Sequence, residues 1–169
     1  MTMSEAISNQ SFMEERFKTL YHPTHENGYF ITLTYHKLPK HFDNPKRNKM
    51  ERDLRYFFMW LERDLLGRRN GKHFNRWKEN IRVFYHEGDS TDSKPHFHII
   101  FPDISNLKIK GGVYLSEEYF KYEVMRLWQK INTAGLSNRD WFLPIYDVCQ
   151  ELFDYGFKSE DSLESLVMF

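Results

Sequence analysis

The stretch 81–101, IRVFYHEGDSTDSKPHFHIIF, decides the architecture. Ile81–Glu87 (IRVFYHE) and Pro95–Phe101 (PHFHIIF) are rich in β-branched and aromatic residues, and the run GDSTDSK between them is polar and turn-forming. Two such runs joined by a short polar connection predict an antiparallel hairpin. Side chains alternate between the two faces of a strand, so His96 and His98 fall on one face, about 7 Å apart along the backbone. Phe97, Ile99 and Phe101 fall on the other face and belong to the core.

Outward from this hairpin, Tyr29–His36 (YFITLTYH) alternates in the same way and predicts another strand. Residues 45–67 predict a long amphipathic helix. Pro45 suits its start and Gly67 its end, and Met50, Leu54, Phe57, Phe58, Leu61 and Leu65 form one apolar stripe opposite Arg, Lys, Asp and Glu. Gly111 and Gly112 punctuate a loop, and Ser116 caps a helix running to Ile131 with Phe120, Val124, Leu127 and Ile131 inward. Trp141–Tyr146 reads as a strand, which Pro144 restricts to an edge or a bulge. Asp147 with Gln150 forms a capping box that opens a last helix, and Ser11–Leu20 forms a short one. Residues 1–10 are polar and expected to be loose. The order predicts an α+β domain, a mainly antiparallel sheet with helices packed on it.

A length of 169 residues fits one domain over 1–169, and 40% apolar with 17% aromatic residues suffice for a core. Cys149 is the single cysteine, which excludes an intrachain disulfide and points to a reducing, cytoplasmic setting. No apolar run approaches membrane-spanning length and no signal-peptide pattern opens the chain, so no membrane partner is expected. The 24 basic and 24 acidic residues cancel, but they are segregated: cations crowd between Pro45 and Arg82, acids between Asp147 and Glu164. A basic face can therefore exist on a neutral chain.

His96 and His98 are spaced to converge on one metal ion. The competing reading is a polar sheet face without metal. A cupin site would need a glutamate shortly after the second histidine, where Phe101 and Pro102 stand. The neighbouring strand ends in His86–Glu87, and alternation lets only one of them face the ion. Glu87, preferred here, is a hard oxygen ligand suited to Mn²⁺ or Mg²⁺, whereas His86 would make an all-imidazole site for Zn²⁺, Cu²⁺ or Ni²⁺. Downstream, Tyr155-Gly156-Phe157-Lys158 sets a phenol and a cation three residues apart on one helix face. Gly156 leaves room for a phosphate backbone, and Lys158 can support phenolate or a leaving oxygen; a plain core tyrosine is the alternative. Arg68, Arg69, Lys72, His73, Phe74, Arg76 and Trp77 interleave cations with rings, as single-stranded nucleic acid requires, or form a solvated loop anchored by Trp77.

The ITLTYHK strand, the PHFH strand and the YGFK helix, in that order across Tyr29–Lys158, resemble the HUH endonucleases, and more closely the single-tyrosine rolling-circle replication initiators (Rep proteins) of phages, plasmids and small DNA viruses. The resemblance implies an RRM-like antiparallel sheet of about five strands with the histidines central. It implies His96, His98 and Glu87 as ligands of a divalent Mn²⁺ or Mg²⁺, Tyr155 as nucleophile and Lys158 as its helper. Tyr146, nine residues before Tyr155, is the fallback nucleophile. The implied activity is site-specific nicking and rejoining of single-stranded origin or hairpin DNA through a 5′-phosphotyrosine. The chain has no Walker motif, so a helicase would come from another protein or from a longer chain. Residues 159–169 are an acidic departure from the family. Transposases and relaxases share the chemistry, but a relaxase is expected to carry a third histidine and an N-terminal tyrosine. A non-catalytic nucleic-acid-binding module is the reading from a different class.

Overall fold

β-branched and aromatic runs build a sheet, one face of which is covered by the two amphipathic helices among the described residues. The computed structural model describes residues 23–35, 44–67, 80–86, 95–131 and 141–145. A 3-10 turn at Pro23–His25 precedes β1 (Tyr29–Thr34), α1 (Asn44–Leu66), β2 (Arg82–His86), β3 (His96–Phe101), α2 (Glu117–Ile131) and β4 (Phe142–Pro144). The strands form one sheet in the order β2-β3-β1-β4, with every neighbouring pair antiparallel. The class is therefore α+β, a four-stranded antiparallel sheet with two helices among the described residues.

The predicted hairpin is present as β2 and β3, each starting one residue later than expected, after Ile81 and Pro95. β4 is shorter than Trp141–Tyr146 and lies at an edge of the described sheet, where the missing N–H of Pro144 costs no ladder bond. Its pairing continues past its ends: Thr32 N–H donates to Trp141 O at 2.7 Å and Ile145 N–H to Gly28 O at 2.8 Å. The helices expected over Ser11–Leu20 and after Asp147 lie outside the described residues.

α1 buries the predicted stripe, Met50, Leu54, Phe57, Phe58, Leu61 and Leu65. It ends at Gly67, whose φ of 68° is the left-handed value that glycine adopts without cost. Gly67 N–H donates to Arg63 O at 2.8 Å, and Lys110 N–H donates to Leu65 O at 3.0 Å, so the following loop satisfies the helix end. The Ser116 hydroxyl accepts from Tyr119 N–H at 3.2 Å and caps α2 as predicted. Arg126 ties the helices together, donating to Asp64 of α1 at 2.5 Å and to Glu123 of α2 at 2.5 Å.

Alternation divides the sheet into two faces. Tyr29, Ile31, Leu33, Val83, Tyr85, Phe97, Ile99, Phe101 and Phe142 join the α1 stripe and Phe120, Val124, Leu127 and Trp128 of α2 in the main core. Each such apolar side chain contributes about 1.5–3 kcal/mol on burial. Trp128 sits at its centre, edge-on to Tyr35, Phe57 and Phe97, with its indole N–H donated to Thr34 O at 3.1 Å. The histidines occupy the other face.

Candidate metal centre

β3 lies between β2 and β1, so His96 and His98 stand in the interior of the sheet rather than at its edge. Across β1, His96 pairs with Thr34 and His98 with Thr32; across β2, His96 pairs with His86 and His98 with Phe84. Directly paired residues of an antiparallel ladder share a face. One surface therefore carries His96, His98, Thr32, Thr34, Phe84 and the register position of His86, with Phe30, Ile100 and Arg82 one pair further along.

The two imidazoles converge. Their Nε2 atoms are 3.2 Å apart, and the ring centroids are 4.6 Å apart with planes at 75°. Without an ion, one Nε2–H donates to the other nitrogen. The same separation fits a shared ion: with metal–nitrogen bonds of about 2.1 Å, two nitrogens lie about 3.0 Å apart at a right angle and about 3.4 Å apart at the tetrahedral angle. Both rings thus present the right atoms at a chelating distance.

His98 is held on several sides. It is 4% exposed, stacks on Phe30 at 5.0 Å and 28°, and contacts Thr32 Oγ1 through Nδ1 at 3.1 Å. Phe30, Phe84 and Ile100 are buried on the same face. A dry setting strengthens any charge interaction made there. Arg82 is half-buried on this face, and burial pulls its pKa below the ordinary value, the direction expected where desolvation opposes a cation.

The structure brings together His96 and His98. Among the described residues, no group of three or more His, Cys, Asp or Glu side chains is assembled for a metal. Glu87, Tyr155, Lys158, Arg68, Arg69, Lys72, Arg76 and Trp77 lie outside the described residues, as does Tyr146. His86 ends β2 and is described by its register alone, opposite His96. Sequence reasoning missed Phe30, Thr32 and Arg82. Alternation within YFITLTYH put Phe30 and Thr32 on a common face, but nothing local aligned that face with the histidines. No helix of the described residues is long and apolar enough to cross a membrane. Comparison with protein-family models, curated proteins and solved structures gives no match for this chain.

Proposed function

We propose that this chain is a metal-dependent enzyme that nicks and rejoins single-stranded DNA, of the HUH kind, and that it serves to initiate rolling-circle replication. The observation that carries this reading is the pair of Nε2 atoms 3.2 Å apart on an interior strand. In this reading the whole chain forms one RRM-like domain, with a fifth strand beyond the four described. Two imidazole donors favour Mn²⁺ over Mg²⁺, which prefers oxygen ligands. Glu87 completes a set suited to Mn²⁺; His86, which pairs in register with His96, is the alternative third ligand and would shift the preference toward Zn²⁺, Cu²⁺ or Ni²⁺.

When bound, the ion supplies Lewis-acid polarisation of the scissile phosphate. Tyr155 attacks phosphorus in line. The Tyr155 oxygen–phosphorus bond forms as the bond to the 3′-oxygen breaks, and the phenol proton leaves to solvent. Lys158 donates to the leaving 3′-oxygen, giving a free 3′-hydroxyl and a 5′-phosphotyrosine. Attack by a 3′-hydroxyl reverses the step and reseals the strand without ATP. Arg68, Arg69, Lys72, Arg76 and Trp77 hold the strand by charge and stacking.

The test is incubation with single-stranded DNA bearing randomised hairpins and Mn²⁺, followed by a denaturing gel. A covalent protein–DNA adduct is expected from the wild type and is lost in Tyr155→Phe and in His96→Ala. An adduct that persists in Tyr155→Phe would move the nucleophile elsewhere, Tyr146 first. No adduct with any hairpin would remove the nicking activity.

A further inference from the structure

We infer that Thr32 is the positioning residue of the histidine pair: its hydroxyl accepts the Nδ1–H of His98 and so holds that ring in the tautomer whose Nε2 lone pair faces His96. The role in metal binding rests on the metal-centre reading; the tautomer does not.

A neutral imidazole carries one proton on two nitrogens, and only the unprotonated one can bind an ion or accept a hydrogen bond. His98 has both nitrogens in short contact, Nδ1 with Thr32 Oγ1 at 3.1 Å and Nε2 with His96 Nε2 at 3.2 Å. If Nε2 bore the proton, the lone pair would point at Thr32 and away from the chelating position. A hydroxyl that accepts at Nδ1 selects the other form.

The geometry of β1 makes this contact rigid. Thr32 N–H is spent on Trp141 O at 2.7 Å, toward β4, so its backbone bonds point away from β3. On the β3 side Thr32 and His98 then form the non-hydrogen-bonded kind of pair, in which Cα atoms approach to about 4.5 Å and side chains meet most closely. Threonine's branched Cβ restricts χ1, which fixes where the hydroxyl sits. Phe30 stacks on the His98 ring and limits its rotation. The ring is thereby held by the plane of Phe30 and by the Thr32 contact.

Thr32→Val keeps the branched shape and removes the hydroxyl; Thr32→Ser keeps the hydroxyl. Two readouts are taken on the whole chain, with circular dichroism confirming that each variant folds. The first is a long-range ¹H–¹⁵N spectrum of the imidazoles without metal. His98 is expected as the Nδ1–H tautomer in the wild type and in Thr32→Ser, and as a mixture or the Nε2–H form in Thr32→Val. The second is calorimetric titration with Mn²⁺, expected to weaken about 10–100-fold in Thr32→Val, the usual effect of losing such an outer partner, and to stay within about threefold in Thr32→Ser. An Nε2–H wild-type His98 overturns the inference. So does undiminished Mn²⁺ affinity in Thr32→Val where His98→Ala abolishes binding. If the wild type binds no Mn²⁺, the metal-centre reading falls, and the spectrum alone decides the role of Thr32.

Discussion

Tyr35 directly follows β1 and faces the main core. Its hydroxyl donates to Asp53 Oδ2 at 3.1 Å, and Lys49 reaches the same oxygen at 2.5 Å. Burial first, then the charge and hydrogen bond of Asp53 and the neighbouring Tyr85, push its pKa well above the ordinary tyrosine value. A phenol held this firmly in its neutral form is a poor nucleophile, so Tyr35 belongs to the scaffold. Its effect on stability has a definite sign. The raised folded pKa favours the protonated form, so the contribution is intact below the unfolded pKa of about 10 and is lost as pH rises above it. Above pH 10 the wild type should lose about 1.4 kcal/mol per pH unit more than Tyr35→Phe. Urea melts between pH 8 and pH 11 check this, and parallel slopes for the two proteins would refute it.

At the scale of elements, the start of β1 meets the end of β3 at Gly28. A Cβ there would stand 2.1 Å from the carbonyl oxygen of Phe101, a backbone atom that cannot swing aside. Close approach, not φ, makes this position a glycine. His25 closes the same corner, with its Nε2 donating to Asn80 O at 2.5 Å just before β2. Gly28→Ala should therefore cost about 2–3 kcal/mol through the shift it forces on the β1–β3 crossing, read as a lower urea midpoint with unchanged slope. An unaltered midpoint would show that the crossing yields freely. The elements themselves were legible in the sequence. The stripe from Met50 to Leu65, the Gly67 end, the Ser116 cap and the edge placement of Pro144 all follow from local periodicity and backbone chemistry. Trp128 was overlooked as a core residue, because its indole N–H is satisfied by Thr34 O, 94 residues away in sequence.

For the whole molecule, the histidine pair lies on the sheet face opposite α1 and α2, on the interior strand β3. An ion bound only by the folded chain adds about 2.7 kcal/mol at a hundred times its Kd. That corresponds to a rise in Tm of about 5–10 °C for a chain of this length. Mn²⁺ should raise the Tm of the wild type and leave that of His98→Ala unchanged. Equal shifts in both would place the ion elsewhere.

Sequence alone determined which residues can share a face. Period-two alternation set His96 with His98 against Phe97 and Ile99, and the 3.6-residue period set the apolar stripe of α1, because both are properties of one contiguous segment. Beyond the hairpin of β2 and β3, it could not say which strand stands beside which. β1 lies between β3 and β4, and Thr32 faces His98. Those partners come from segments far apart in the chain, and a shift of one residue in register would turn every side chain to the other face. Only burial of both faces at once selects a register, and that is a property of the assembled sheet.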